Sequence, residues 1–258
     1  MPNGSLALRY RSAAGAITSG TVRLRASLRS IGKTPSILTQ MRPDGSLHVI
    51  TGCMFSGKTE ELLRLLRRAT VGGRSVLLIR PQVDTRSAPE VAESRSGARF
   101  ASTSVAGATD ILGVVASAPS AVVAIDEAEM FGAELAGVAD RLATSGYEVI
   151  VSGLDTDFAG RPFGALPTLL SLADTVTKLN AVCTFPGCGQ AATRTQRLVN
   201  NQPAAIDDPL IVIGGTEDAR EPDRYEARCR THHRVGPPRH TGAVKVEVAP
   251  APVKVESA

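Results

Sequence analysis

A glycine-rich loop between an apolar segment and an amphipathic segment constrains the fold of this chain more than any other feature. The three pieces read LHVIT, GCMFSGKT and EELLRLLRRAT over residues 47–70. The third piece predicts a helix, because its apolar residues recur at helical spacing. Its exposed side is expected to carry Glu60 and Arg64, which lie four positions apart. The predicted core side carries Leu62, Leu63, Leu65, Leu66 and Ala69.

Three further segments are apolar enough to be strands buried on both faces. They read SVLLIRP at 75–81, AVVAIDE at 121–127 and YEVIVSGL at 147–154. A helix-like stretch joins the last two, and strands that alternate with helices predict an α/β fold with a mostly parallel sheet. The apolar positions of that stretch are Leu135, Val138, Ala139 and Leu142.

The chain is expected to have four regions. Residues 1–45 are rich in Ser, Ala, Gly and Arg without a sustained period, and three interpretations are open: a disordered tail, a targeting peptide, or a translation start at Met41. Residues 46–180 form the α/β domain, 181–234 a small domain, and 235–258 a disordered tail. In the small domain LIVIGG at 210–215 is the one strand candidate, so something besides an apolar core is needed.

Composition excludes several classes of protein. The net charge of +4 and the pI near 9.1 suggest nucleic-acid binding, but no acidic residue precedes Asp44, so the excess is local. No apolar run approaches the roughly 20 residues that span a bilayer, so we expect no membrane association. Four cysteines without a secretion signal favour the reducing cytoplasm, where metal ligation is commoner than disulfide bonding.

The glycine-rich loop has the spacing of a phosphate-binding P-loop, with the required strand before it and helix after it. Backbone N–H groups converge on phosphate oxygens where glycine permits, the lysine reaches the β and γ phosphates, and the threonine hydroxyl ligates Mg²⁺. The fold is therefore expected to be P-loop NTPase-like. The residues are Gly52, Cys53, Met54, Phe55, Ser56, Gly57, Lys58 and Thr59.

The second half of such a site is an acidic residue at the end of a neighbouring apolar strand. Asp126 follows VVAI and is predicted to hold Mg²⁺ directly or through water. Glu127 points differently from its neighbour and is predicted to take a proton from an acceptor hydroxyl. The residues thus indicate a Mg-ATP phosphotransferase or an ATPase.

Two short-spaced pairs predict a tetrahedral Zn²⁺ site. Cys183 and Cys188 form the first pair, and Cys229 with His232 forms the second, about forty residues later. His233 competes with His232 for the fourth position. Such a site has no open coordination position, so its expected role is structural.

Taken together, these motifs resemble the thymidine kinases of the cellular and bacterial (type II) family. The resemblance rests on GCMFSGKT, IDEAEMF, GLDTDFAGRPFG, the Cys/His set and VIGG before a tyrosine, and runs from about residue 47 to 233. It implies transfer of the γ-phosphoryl group of ATP to the 5′-hydroxyl of thymidine, and of deoxyuridine, in pyrimidine salvage. It also implies a homotetramer. Separately, we expect no nucleic-acid partner.

The resemblance assigns roles to individual positions. Glu127 falls on the family's catalytic base, Asp126 on its magnesium-associated aspartate, and Asp84 and Arg86 on an element that lines the transfer site. Lys58 and Arg86 would neutralise phosphoryl charge. The ATP-binding set adds, to the eight loop residues, Asp126, Glu127, Ala128 and Glu129.

The resemblance also implies an apolar nucleoside pocket covered by a zinc-anchored lasso loop. The lasso maps onto residues 210–225, where Val212 and Gly214 would contact the base through backbone groups and Tyr225 would close the pocket. Ordinary core packing is the competing interpretation for the pocket's Leu and Phe positions. The pocket positions are Met54, Met130, Leu154, Phe158 and Phe163.

Several positions depart from the family pattern. Glu129 stands where glutamine is usual, and either weakens nucleotide binding or turns outward. Met130 replaces an aromatic residue, which predicts a weaker or less selective thymidine site. Cys53 replaces a common proline, and is either an oxidisable thiol or an inert buried one. The insertion TEDAREPD lies between VIGG and Tyr225 and bears on the lasso length.

Two other functions compete with a thymidine kinase. A catalytically impaired relative that binds nucleotide as a regulator is suggested by Glu129 and Met130, although the residues for chemistry are present. A nucleic-acid-binding module is opposed by the lack of interleaved aromatic residues and by six acidic residues between positions 207 and 223.

Overall fold

The computed structural model describes residues 45–82, 99–118, 120–210 and 223–239, together with the backbone of the strands Arg9–Arg11, Ile17–Ser19 and Val91–Glu93. The chain divides into two compact units, Met1–Met41 and Arg42–Ala258. In the first unit, Arg9–Arg11 (β1) pairs antiparallel with Ile17–Ser19 (β2). The rest of the predicted N-terminal extension lies outside the described residues.

The second unit is built on a parallel sheet. Among the described residues it has six strands in the order β10-β3-β9-β8-β4-β7, and every neighbouring pair is parallel. Two short strands, β5 and β6, pair antiparallel outside this sheet. The strands are β3 (Ser46–Gly52), β4 (Val76–Pro81), β5 (Val91–Glu93), β6 (Arg99–Ala101), β7 (Thr103–Val105), β8 (Val122–Ile125), β9 (Glu148–Gly153) and β10 (Thr175–Leu179).

Helices cover both faces of the sheet, which confirms the predicted α/β class. Successive residues of β8 alternate between two buried clusters: Val122 and Ala124 pack with Leu62, Leu63 and Leu66 of α1, whereas the intervening residues pack with α2, α3 and α4. Within the described residues no helix is long and apolar enough to cross a membrane. The helices are α1 (Lys58–Val71), α2 (Asp110–Ser117), α3 (Leu135–Thr144) and α4 (Leu166–Leu172), with a 3₁₀ turn at Ala128–Met130.

The predicted elements are present, and Glu60 and Arg64 are both exposed on α1, as expected. The guanidinium of Arg64 also binds both carboxylate oxygens of Glu61, at 2.6 Å each. Positions three apart on a helix are neighbours as much as positions four apart, and the planar guanidinium fits a bidentate contact with Glu61. The predicted core positions Leu65 and Ala69 are only partly buried and lie at the edge of their cluster.

The C-terminal part is richer in strands than its sequence indicated. β13 and β15 pair antiparallel with β14 beside them, and β11 pairs with β12. The expectation of a single strand candidate was wrong because β13 reads RTQRLV and β15 reads DRYEAR, neither of which is apolar. Most of LIVIGG lies outside the described residues. The strands are β11 (Ala181–Val182), β12 (Ala191–Ala192), β13 (Arg194–Val199), β14 (Gln202–Pro203) and β15 (Asp223–Arg228).

Candidate active site

The phosphate loop begins where β3 ends, at a position that only glycine fits. Gly52 has φ +143°, and a Cβ there would collide with the carbonyl oxygen of Leu179 on the neighbouring strand β10. At the other end, Gly57 has φ +84° and directly precedes α1. Phe55, with φ +65°, is also left-handed. The loop therefore makes a compact reversal that turns the start of α1 towards the sheet edge.

Hydrogen bonds within the loop fix its lysine. Lys58 Nζ donates to the carbonyl oxygen of Cys53 at 3.0 Å, and Ser56 N–H donates to the same carbonyl at 3.4 Å. Glu61 N–H donates to Gly57 O at 2.9 Å, which closes the first turn of α1. The ammonium group thus lies over the loop, where phosphate oxygens bind in sites of this type.

The helix and the acidic strand end meet at Thr59 and Asp126. Thr59 Oγ1 donates to Asp126 Oδ2 at 3.2 Å, and Asp126 N–H donates to Ile79 O of β4. Burial raises the pKa of Asp126 to about 6, and the charge of Glu127 adds to the shift. A hydroxyl beside a buried carboxylate is an oxygen donor set suited to Mg²⁺, whose charge would offset that desolvation.

Glu127 sits in a strained backbone conformation next to this pair. Its φ of 53° and ψ of 44° are left-handed, which is costly for a residue with a Cβ. The bend ends β8 and starts the turn that Met130 N–H closes by donating to Glu127 O at 3.0 Å. Glu127 is only half-buried, whereas Asp126 is buried, so the two adjacent carboxyl groups occupy different environments.

Glu129 does not turn outward, so that alternative was wrong. The residue is 4% exposed, and its Oε2 accepts a hydrogen bond from the N–H of Leu154 at 3.0 Å. Burial raises the pKa of Glu129 to about 8, with a further contribution from the charge of Glu127. A largely protonated carboxyl at neutral pH lacks the charge that was expected to repel phosphates.

The five predicted nucleoside positions lie in three segments: the phosphate loop, the 3₁₀ turn and the loop after β9. Met54 is half-buried, and its N–H donates to Thr195 Oγ1 of β13 at 3.0 Å. Phe158 is buried, with the Arg197 guanidinium 5.6 Å from the centre of its ring. The burial of Phe158 agrees with ordinary core packing as well as with a pocket wall. The other three positions, all half-buried, are Met130, Leu154 and Phe163.

The described residues do not include every predicted site position. Tyr225 lies on β15, where it pairs across the strands with Arg197 of β13. The remaining ones are outside the described part of the chain: Asp84, Arg86, Val212 and Gly214.

The four predicted metal ligands come together. Their ligand atoms all lie within 4.8 Å of one another. Cys188 Sγ is 3.9 Å from Cys229 Sγ, and His232 Nδ1 is 3.4 Å from Cys229 Sγ and 3.8 Å from Cys183 Sγ. Ligands of a tetrahedral zinc ion are about 3.8 Å apart for two sulfurs and about 3.6 Å for sulfur and nitrogen. The cluster therefore fits a zinc ion.

The competition between the two histidines is resolved by their contacts. His233 Nε2 donates to the carbonyl oxygen of Phe158 at 2.8 Å and is not part of the ligand cluster. The His232 ring stacks on Phe185 with a centroid distance of 4.0 Å and an interplanar angle of 9°. That stacking orients the imidazole towards the sulfurs.

Cys53 is an inert buried thiol, which was one of its two predicted states. It is 1% exposed, its Sγ donates to Ala192 O at 3.3 Å, and burial raises the pKa of its thiol. The same apolar cluster contains the metal-ligand cysteines Cys183 and Cys229. The phosphate loop therefore packs directly on the hairpin that carries Cys183 and Cys188.

Sequence reasoning missed a buried arginine that holds this region together. Arg197 is 3% exposed, binds both carboxylate oxygens of Asp223 at 3.1 Å, and donates to Pro209 O at 2.7 Å. Arg197 was missed because β13 is mostly polar, so the sequence has no alternation of apolar and polar residues that would indicate a buried position there. Sequence reasoning also missed Asp157. Its Oδ1 accepts hydrogen bonds from the N–H groups of Ala159 and Arg161, and these bonds shape the loop after β9.

Comparison with known proteins adds three findings. The family model described as thymidine kinase matches residues 45–233. A thymidine kinase of Coprothermobacter proteolyticus is 51% identical over 199 residues, which cover 77% of this chain and 94% of that protein. The flagellar accessory protein FlaH of Methanocaldococcus jannaschii is 18% identical over 56% of this chain and 75% of that chain, with a TM-score of 0.39.

Proposed function

The chain belongs to the thymidine kinase family, and we propose that it transfers the γ-phosphoryl group of ATP to the 5′-hydroxyl of thymidine. It is a thymidine-phosphorylating enzyme of nucleotide salvage. The observation that carries the chemical proposal is the contact between Thr59 Oγ1 and Asp126 Oδ2. It brings the phosphate loop against the strand end that carries Glu127, which supports a site in which donor phosphates and a general base would share one edge of the sheet.

The donor side is assigned to the phosphate loop. Its backbone N–H groups and the start of α1 would bind the phosphates of ATP, with the Lys58 ammonium near the transferred group. Thr59 and Asp126 would hold Mg²⁺, which supplies charge neutralisation on the phosphate oxygens when bound. Arg86 is proposed to add positive charge at the transferred phosphoryl group.

The acceptor side is assigned to Glu127. Its half-buried carboxylate would accept the proton of the 5′-hydroxyl as that oxygen attacks the γ-phosphorus. The left-handed backbone at Glu127 turns the chain between Asp126 and the 3₁₀ turn, so that adjacent carboxyl groups can serve metal and acceptor separately. The pKa of Glu129, raised to about 8, favours a proton on that neighbour at neutral pH, which relieves repulsion around Glu127. Asp126, whose pKa is raised only to about 6, is mostly ionised at neutral pH and so stays available for Mg²⁺.

The nucleoside is proposed to bind between the 3₁₀ turn, the loop after β9 and the segment 210–225. Deoxyuridine, which lacks only the 5-methyl group, is expected to be a second substrate. Val212, Gly214 and Tyr225 complete the proposed pocket. Its apolar residues are proposed to be Met54, Met130, Leu154, Phe158 and Phe163.

Zinc is proposed for the Cys/His cluster, with a structural role in a C-terminal module of residues 181–234. We also propose that the enzyme acts as a homotetramer in the cytoplasm. Family membership supports these proposals, and the fit of the ligand atoms supports the zinc site alone. The impaired-relative alternative is not favoured, because Lys58, Thr59, Asp126 and Glu127 are assembled at one edge of the sheet.

The test is phosphorylation of thymidine, deoxyuridine and deoxycytidine by purified protein with Mg-ATP. Wild-type protein should make thymidine monophosphate, and Glu127→Gln should lose at least about a hundredfold in kcat while still binding ATP. Glu134→Gln, which neutralises an exposed carboxylate before α3, is the matched control and should retain activity. ATP binding without product in the wild type would refute the proposal.

A further inference from the structure

Glu129 connects two parts of the chain that carry proposed nucleoside contacts. The residue lies in the 3₁₀ turn, two positions after Glu127 and directly before Met130. Its carboxyl Oε2 accepts the N–H of Leu154 at 3.0 Å, at the point where β9 ends. The hydrogen bond therefore crosses from the turn to the loop that holds Phe158 and Phe163.

Two glycines allow this close approach. A Cβ at Gly153 would lie 2.7 Å from Glu129 Oε2, and a Cβ at Gly164 would lie 2.9 Å from the carbonyl oxygen of Glu129. These glycines are the two ends of the segment 153–164. Glu129 thus contacts that segment at both of its ends, through its side chain at one and its backbone at the other.

We propose that Glu129 is a positioning residue for the nucleoside site, whose buried carboxyl fixes the segment 153–164 against the turn that carries Glu127 and Met130. The inference rests on the proposed function and deepens it. It reassigns Glu129 from the expected nucleotide-binding role to the acceptor side. A shift at this contact would change the distance between the general base and the pocket wall. Thymidine binding should therefore weaken more than ATP binding.

The neutral form of the carboxyl is sufficient for this role. The charged groups that act on it electrostatically are Glu127, which disfavours its ionisation, and Lys58, which favours it. Burial outweighs both and raises the pKa of Glu129 to about 8. A neutral side chain of the same length with one acceptor oxygen should therefore do the same work, and glutamine meets that requirement.

The experiment compares kinetic constants for thymidine and ATP at pH 7 in four proteins. Glu129→Met keeps length and volume but leaves the Leu154 N–H without its acceptor, and should raise the thymidine KM about tenfold with the ATP KM within about twofold. Glu129→Gln should stay within about twofold of wild type for both. Val138→Ala, a buried truncation in α3, controls for lost stability and should leave both KM values within about twofold.

The possible outcomes separate the two proposals. A rise in the ATP KM of Glu129→Met, or no change in either KM, would overturn the positioning role. Absence of thymidine turnover in the wild type would refute the proposed function and this inference with it. If Glu129→Met does not fold, Gly153→Ala tests the same contact from the other side. The added Cβ would displace the Glu129 carboxyl and should raise the thymidine KM. An unchanged thymidine KM would overturn the inference.

Discussion

The thiol of Cys53 donates a hydrogen bond to the carbonyl oxygen of Ala192, 3.3 Å away. One residue belongs to the phosphate loop and the other to the hairpin that carries two of the metal ligands. Met54 N–H donates to Thr195 Oγ1 of β13 at 3.0 Å, which is a second contact between the phosphate loop and the C-terminal strands. The phosphate loop therefore packs against the segment that carries the proposed metal ligands Cys183 and Cys188.

Metal removal should lower both stability and activity. The small side chains around Cys53, Ala192 and Ala227 bury little apolar surface, so the bound ion is expected to supply much of the local stability. Cys229→Ser should reduce zinc content and lower the Tm by on the order of 10 °C. Thermal unfolding with metal analysis measures this, and a variant without zinc that keeps the wild-type Tm would contradict it.

Asp126→Asn should separate activity from stability. The change removes a buried carboxyl whose pKa is already raised to about 6, so the free energy of unfolding should stay equal or increase. It also removes the proposed Mg²⁺ ligand, and kcat should fall by at least about a hundredfold. Kinetics at several Mg²⁺ concentrations and thermal unfolding of the same preparation provide the measurement. A variant that loses stability and keeps kcat would speak against the assigned role.

Stability should fall as pH rises from 6 to 8. Glu129 has a folded pKa of about 8, well above the usual glutamate value, so the folded state binds more protons than the unfolded state across this range. The resulting loss should be on the order of 2 kcal/mol in the free energy of unfolding. Below about pH 6, Asp126 adds to the slope in the same direction.

Glu129→Gln isolates that contribution. Denaturant unfolding at pH 6, 7 and 8 should give a shallower slope in the variant than in the wild type. Equal slopes of unfolding free energy against pH in the two proteins would show that Glu129 is not the group that binds the extra proton in the folded state.

Arg197→Lys should destabilise the C-terminal strands although it keeps the charge. Lysine cannot bind both oxygens of Asp223 and reach Pro209 O at the same time, and it loses the guanidinium that lies 5.6 Å from the centre of the Phe158 ring. We expect a loss of about 2–3 kcal/mol in the free energy of unfolding. Arg230→Lys, at an exposed position after β15, is the control and should be neutral. Equal stability of the two variants would contradict the expectation.

Met130→Phe should tighten the nucleoside site. A flexible thioether holds a planar base less firmly than an aromatic ring, so the phenylalanine should lower the thymidine KM by about threefold to tenfold. It should also increase the preference for thymidine over deoxycytidine in kcat/KM. Competition assays with both nucleosides provide the check, and a wild type that already rejects deoxycytidine strongly would contradict the premise.

The phosphate loop, four sheet strands and the metal ligands could be predicted because each has a local signature. Glycines at fixed spacing, apolar runs and short cysteine spacings can be recognised without knowing which residues they contact in the fold. β13 and β15 could not be predicted, because their polar side chains are satisfied by distant groups, as Arg197 is by Asp223. The inward direction of Glu129 depends on two glycines remote in sequence, Gly153 and Gly164, and so had no local signal either.

The position of β3 in the sheet has a consequence for synthesis of the protein. Its hydrogen-bonded neighbours are β9 and β10, and the pairs Ser46 with Glu148 and His48 with Thr175 join residues more than a hundred positions apart. A nascent chain on the ribosome cannot complete the surroundings of its nucleotide-binding loop until β10 has emerged. At about 5–20 residues per second, the early segment lacks these neighbours for on the order of 6–25 seconds, during which chaperones and proteases can reach it.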